Sequence, residues 1–453
     1  MTYIILFCLT LFFVLGIALI LAPKGNRRIV SILVLAGALI CLGKIAIVQH
    51  TPQWRDIPPD SITYHLGAEA LSQHWDGIDV DALDYHLSGL EARQESTWKS
   101  ESTLAYTSVF GSREWLYSGY VGLWYWIAGP STDWVIISNA AWAAFFPAAA
   151  YGIAFLLSGS RKLSWWSAGL ALIEPMSGVN ASWLLKDTLA GFLTMAVLWA
   201  GIDYLRSQRK ATVAILLLTL SLLSTVRYVS FLALLAGLGL VGVWLIVRKT
   251  YKPAVVLLIS TMGAVTLTGY LYQMPVSTAR SLPTARSVPT ARSAQEILGA
   301  VFVSPIGAAG QTLVARHGDA YDEAVFSWKE AFKADPVRAV FKSIMHTMFA
   351  PYPWKAAYPG LTKRLANELY YPGMLLWIVC LPGIFVAAAR AFRDDYDPAW
   401  WLILFYLGFM LTAYTVFFGE WSTRQRVFVL PAFLVLASIG WHNILTKKYG
   451  GGK

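Results

Sequence analysis

Residues 3–22 read YIILFCLTLFFVLGIALILA and, beyond a basic hinge of Lys24, Arg27 and Arg28, residues 29–48 read IVSILVLAGALICLGKIAIV. Each run has the length of the ~20 apolar residues that carry a helix across a bilayer. Nine further runs follow, at 134–157, 164–180, 188–205, 211–226, 229–247, 253–272, 372–391, 399–418 and 427–445. With 57% hydrophobic and 14% charged residues in 453, no water-soluble core absorbs that much apolar surface. The expected fold is an all-α polytopic membrane protein of about 11 transmembrane helices. The first run has no charged segment before it and no small-residue cleavage site after it, so it reads as a retained span.

Lysines and arginines in short loops stay on the cytoplasmic side. Placing Lys24/Arg27/Arg28, Arg161/Lys162, Arg206/Arg209/Lys210, Arg248/Lys249/Lys252, Arg390/Arg393 and Lys447/Lys448/Lys453 inside gives a multi-pass protein of the cell (inner) membrane. Its N-terminus lies outside and its C-terminus in the cytoplasm. This solution requires the aromatic stretch 115–127 not to cross, so that stretch reads as re-entrant or interfacial. The chain then divides into an N-terminal transmembrane hairpin (1–48), an extracytoplasmic loop (49–133), a transmembrane core (134–272), a second extracytoplasmic loop (273–371) and C-terminal transmembrane helices with a cytoplasmic tail (372–453). Interfacial helices are expected in both loops. The first loop is acidic, with twelve Asp/Glu against four Lys/Arg, and the second basic, with eleven Lys/Arg against seven Asp/Glu.

The formal charge of +10 is therefore cytoplasmic-loop charge plus the second loop, and no basic stripe with stacking aromatics suggests nucleic acid. Cys8, Cys41 and Cys380 sit inside apolar runs, where buried free thiols are expected. His65, His74 and His86 lack metal-ligand spacing, and the acidic stretch Asp76–Asp84 fits no EF-hand register, so no metal and no cofactor are expected. Gly237, Gly239 and Gly242 match a dinucleotide-loop pattern but lie within an apolar run, where close helix packing accounts for them. Thr-Ala-Arg-Ser recurs at 278, 284 and 290 with Pro283 and Pro289 between, which reads as a basic tether.

The polar residues that remain fall on the outer ends of spans. Asp60 opens Asp60-Ser-Ile-Thr-Tyr64-His65, and Tyr64, Ala68, Leu71 and Trp75 form a helical stripe suited to a membrane surface. Capping alone also explains an Asp at that place. Lys186-Asp187 heads the span 188–205, and Arg227-Tyr228 stands between two spans with almost no loop. Charges so near hydrocarbon are costly unless paired or functional, although snorkelling and anchoring are the plainer readings. Arg424 and Arg426 are the cations of the last outer loop and run against the inside bias. Trp115, Tyr117, Tyr120, Trp124 and Tyr125 offer either sugar-stacking faces or an interfacial belt.

The Asp-x-x-x-Tyr of residues 60–64, the Lys186-Asp187 pair, Pro351-Tyr-Pro-Trp354 and the Arg424-x-Arg426 ahead of Pro431 together resemble the GT-C class of membrane glycosyltransferases and related multi-span proteins of exopolysaccharide clusters. The resemblance implies a GT-C-like bundle that moves a sugar from a polyprenyl-phosphate-linked donor to a glycan, lipid or protein acceptor on the extracytoplasmic side. By that resemblance Asp60 is the catalytic base, and Lys186, Arg227, Arg424 and Arg426 bind the donor phosphate. Tyr64, His65, Asp187 and Tyr228 support them. The chain departs from the class in placing Asp60 after the second span, and Asp56, Glu69 and Asp76 all compete as a partner acid. An O-antigen-type polymerase or ligase, leaning on Arg and His, is the alternative. A lipid-linked saccharide transporter is another, drawing on Lys44, Glu174 and Asp203 within the runs, and a non-catalytic scaffold is a third.

The orientation predicts that a fluorescent reporter fused after Lys453 fluoresces in bacteria and that alkaline phosphatase inserted at Ser100 is active. An active phosphatase at the C-terminal fusion contradicts it.

Overall fold

The computed structural model describes residues 2–23, 25–51, 59–76, 115–279, 332–349, 362–393, 397–415 and 426–450. Every regular element among them is a helix. In chain order they are α1 (Thr2–Leu21), α2 (Arg27–His50), α3 (Pro59–Trp75), α4 (Leu116–Ala128), α5 (Thr132–Ala143) and α6 (Phe145–Ser158). Next come α7 (Arg161–Ile173), α8 (Met176–Ala181), α9 (Asp187–Ser207), α10 (Lys210–Ser224), α11 (Tyr228–Val247) and α12 (Tyr251–Ala279). The C-terminal part holds α13 (Pro336–Phe349), α14 (Thr362–Arg393), α15 (Pro398–Ala413) and α16 (Leu430–Gly450).

Seven helical stretches among the described residues are long and apolar enough to cross a membrane: Ile4–Leu21, Arg27–His50, Thr132–Ser158, Asp187–Ser207, Tyr228–Val247, Tyr251–Tyr272 and Pro372–Phe392. Lys210–Ser224, Pro398–Ala413 and Leu430–Thr446 are apolar but shorter. The expected span 164–180 is not one helix. Its run breaks at Glu174, where α7 stops ahead of Pro175, because a proline in a helix interior removes a hydrogen bond and clashes with the preceding turn. The thirteen residues of α7 rise only about 20 Å. The stretch 115–127 is the equally short α4, again well under the ~30 Å of hydrocarbon.

Breaking α7 inside an apolar bundle exposes carbonyls that no water can satisfy. Lys44, reaching across from α2, donates its Nζ to Leu172 O at 2.9 Å and also to Glu174 O. The Glu174 side chain turns forward and accepts from Met176 N at 2.7 Å and Ser177 N at 2.9 Å, at the start of α8. At the other end of the bundle, Arg209 fills the same office. Its Nη2 donates to Leu21 O at 2.8 Å and its Nη1 to Ile20 O at 3.0 Å, closing the C-terminus of α1, while its Nε meets Asp203 Oδ2 at 2.8 Å. Lys44 and Glu174, two charges inside apolar runs, are thus spent on helix ends, and Asp203 on the arginine that closes one.

The central helix is α9, wrapped by α1, α5, α6, α10, α11 and α15. Trp199 on α9 is fully buried, and a Cβ on Gly152 of α6 would collide with its ring, so the bare backbone there lets the indole lie flat between the helices. The tightest crossing joins α14 and α16, where Gly383 and Gly440 put backbone against backbone. Cys41 and Cys380 are buried as expected, whereas Cys8 is exposed on α1.

Overpacking that crossing costs about 1–3 kcal/mol. Gly440→Ala is therefore expected to lower the unfolding midpoint in detergent, while Gly16→Ala, with no atom near its would-be Cβ, leaves it unchanged or raises it. Equal midpoints for the two variants contradict the packing account.

Candidate functional site

One end of the bundle collects the polar residues singled out in sequence. Lys186 and Asp187 stand at the N-terminus of α9, Arg227 and Tyr228 at the N-terminus of α11, and Arg426 shortly before α16. Helix α3, carrying Asp60 in its first turn and Tyr64 one turn later, docks onto α4 beside them. Of Asp60 the structure describes only this place in the helix. Arg424 and the Pro351–Trp354 motif lie outside the described residues.

The pairing of α3 with α4 is close because Gly122 lets Ala68 and Leu71 approach its backbone. Ala68 and Leu71, expected on a membrane-facing stripe, are buried in this contact, while Trp75 at the end of the stripe is half-exposed and packs edge-on to Trp126. Leu116 N donates to Thr225 O at 3.2 Å and Trp115 Nε1 to Leu271 O at 3.1 Å, fixing α4 to the turn before Arg227 and to α12. Inside the pair, Tyr125 and His65 are joined at 2.8 Å through the phenol and Nδ1. Burial pushes the Tyr125 phenol above its ordinary value, with the Glu69 and Asp133 carboxylates adding to the push. On its far side the His65 ring brings Nε2 to 3.8 Å from Glu69 Oε2. Tyr117, likewise raised by burial, is fully enclosed. Tyr117 and Tyr125 therefore serve as mortar between α3 and α4 and present no open face for a sugar.

Tyr64 links this platform to the cations. Its ring meets Tyr117 edge-on at 5.1 Å, and on the other side Lys186 Nζ lies 5.6 Å from its centroid. Lys186 is 5% exposed, and the loop that delivers it is held by Asn139, whose Nδ2 donates to Trp183 O at 2.9 Å, and by Gln49, which donates to Ser182 O. Asp187 is 1% exposed, and its charge at the first turn of α9 is favoured by the helix dipole. Its Oδ1 lies 3.9 Å from Arg227 Nη1. Arg227 Nη2 donates to the Tyr414 hydroxyl at 2.8 Å, and its guanidinium covers the Phe428 ring at 4.9 Å. Tyr228 turns away toward Phe231 and Tyr272.

Arg426 is set deeper. It is 2% exposed, stacks on Trp377 at 4.8 Å and donates to Thr347 O at 2.9 Å and Met374 Sδ at 2.8 Å. Sequence reasoning missed Tyr414 and Phe428, which complete the Arg227 environment. Tyr414 lies within the apolar run 399–418, and Phe428 lies two residues beyond Arg426, but only the fold brings them to a residue roughly two hundred positions earlier.

Among the described residues the arrangement joins the buried Asp187 and Arg227, with Lys186 at the same helix end, to the rings of Tyr64 and Phe428 at one end of an apolar bundle. Such a place favours an anion that enters from the membrane. No protein-family model matches the chain, and no curated protein does. Among solved structures it is similar to the archaeal oligosaccharyltransferase AglB from Archaeoglobus fulgidus, determined in complex with an inhibitory peptide and a dolichol-phosphate. The identity is 12% and the TM-score 0.46, over 94% of this chain and 51% of that one, so this chain spans about half that protein's length.

Removing one partner from a buried ion pair costs about 3–5 kcal/mol, whereas replacing both by apolar groups is close to neutral. Arg227→Met is expected to destabilise the protein in thermal unfolding, and adding Asp187→Leu to restore most of the loss. A double variant no more stable than the single one shows that Asp187 is not the residue Arg227 neutralises.

Proposed function

We propose that the protein is a membrane glycosyltransferase of the GT-C type. It transfers a sugar from a polyprenyl-phosphate-linked donor to a glycan, lipid or protein acceptor on the extracytoplasmic side. The observation that supports the reading most is the Lys186–Asp187–Arg227–Tyr414 cluster, whose Lys186 lies over Tyr64, one helical turn after Asp60 in α3. Sequence resemblance supports it independently through the order of the motifs along the chain. Against transport stands the structural use of Lys44 and Glu174, whose partners are helix ends, and of Asp203, which is paired with Arg209.

In the proposed reaction the donor phosphate lies against Lys186 and Arg227, with Arg424 and Arg426 as further cations for it. The Asp60 carboxylate takes the proton of an acceptor hydroxyl. The oxygen attacks the anomeric carbon, the bond from that carbon to the phosphate oxygen breaks, and polyprenyl phosphate leaves with the electron pair. The sugar's configuration is inverted in this single displacement. Charge on the phosphate grows as the bond breaks, so cations fixed beforehand stabilise the transition state more than the ground state. A base contributes typically 10²–10⁴-fold. Asp187, its charge balanced by Arg227, holds the arginine in place, Tyr64 spaces Lys186 from the α3–α4 platform, and His65 locks α3 to α4. Tyr228 anchors the start of α11 behind Arg227.

Purified protein in nanodiscs, offered a panel of polyprenyl-linked sugars, is expected to transfer one of them. Asp60→Asn should lower kcat by at least about 10², and Arg227→Ala should lower kcat/KM by a comparable factor with the protein still folded. Full activity in Asp60→Asn removes that base and moves the assignment to the arginine-dependent polymerase. The absence of transfer from every donor removes the transferase reading.

A further inference from the structure

Helix α13 is the most amphipathic of the described helices, and its outer face is exposed. Its inner face is fixed to the bundle. Ala339, Ser343 and Thr347 are buried, Ser343 Oγ donates to Thr415 O at 2.6 Å, and Met348 O accepts from Trp377 Nε1 at 2.9 Å. Its outer face carries Val337, Phe341 and Ile344, 81%, 64% and 41% exposed, at the i, i+4, i+7 spacing of one stripe. Arg338 and Lys342 form the adjoining stripe, both exposed, with Lys333 exposed one turn ahead of the helix. The nearby carboxylate, Asp335, caps the helix by accepting from Arg338 N at 3.0 Å.

An apolar stripe beside a basic one suits a helix lying in the membrane–water interface, with hydrocarbon under the first and anionic headgroups under the second. The level fits. Met348 and Thr347 meet Trp377 and Arg426, and Trp377 lies in the second turn of the span Pro372–Phe392. A solvated helix would leave Phe341 and Val337 in water without return.

We propose that α13 is an interfacial helix that binds anionic phospholipid through Lys333, Arg338 and Lys342, with Val337, Phe341 and Ile344 seated among the acyl chains. Through Thr347 O it holds Arg426, and through Ser343 it holds the backbone next to Tyr414, the hydroxyl partner of Arg227. Lipid composition at this helix thereby sets the geometry of the buried cations, whatever reaction they serve.

The test is spin labelling of the full chain in nanodiscs, in a Cys8→Ser background, at Phe341→Cys and separately at Lys342→Cys. Oxygen is expected to relax the label at 341 and a water-soluble nickel complex the label at 342. Replacing phosphatidylcholine by a phosphatidylcholine/phosphatidylglycerol mixture should lower nickel access at 341, and the Lys333→Gln/Arg338→Gln/Lys342→Gln variant should lose that shift. Equal nickel access at both positions, shielding of both from both reagents as by a protein partner, or a wild type indifferent to phosphatidylglycerol would each overturn the proposal. Far-ultraviolet circular dichroism checks that the variants are folded.

Discussion

A charge or a broken helix end inside an apolar bundle has to find its partner within the protein, because there is no water to supply one. Most of what is distinctive in this chain follows from that constraint. Helix α7 ends early at Pro175, so Lys44 and Glu174 are drawn into the bundle to cap the two sides of the break. Helix α1 ends against Arg209, which in turn neutralises Asp203. At the opposite end Asp187 faces Arg227, which shares Tyr414 and Phe428. The first two arrangements are closed, with each charge used by backbone or counterion. The third sets Asp187, Arg227 and Lys186 beside aromatic faces at the helix ends where the anionic substrate is proposed to enter.

The long apolar runs were legible because hydrophobicity over about 20 residues depends on composition and needs no knowledge of neighbours. The run 164–180 misled for the same reason. An averaged window does not register that Pro175 stops a helix or that Glu174 is stabilised by two backbone N–H groups. The stripe of Ala68 and Leu71 was read as membrane-facing, since period alone tells which residues share a face and not what covers it. Its cover is α4, brought close by Gly122. The sidedness of Lys186, Asp187, Arg227 and Arg426 was readable from flanking charge, and the fold does gather them at one end. Their roles were less readable. Arg426 looked in sequence like a second exposed phosphate ligand, yet its guanidinium is enclosed by Trp377, Met374 and Thr347 O, residues or backbone supplied by elements far away in the chain.

Rigidity and reactivity divide between the two halves of the site. Lys186 and Arg227 are mounted at the N-terminal caps of α9 and α11, and preorganised charge of this kind needs little rearrangement when a phosphate departs. The base proposed for the acceptor sits on α3, an element held to the bundle through α4 and its buried phenols. This division suits a reaction with one membrane-borne substrate and one arriving from the aqueous side.

The most direct measurement is an experimental structure of the protein with a polyprenyl-linked sugar whose glycosidic oxygen is replaced by a methylene, so that it binds but is not cleaved. The account predicts the phosphorus within hydrogen-bonding reach of Arg227 and Lys186, with the anomeric carbon turned toward the first turn of α3. A phosphate bound at the opposite end of the bundle, among Arg206, Arg209 and Arg390, would contradict it.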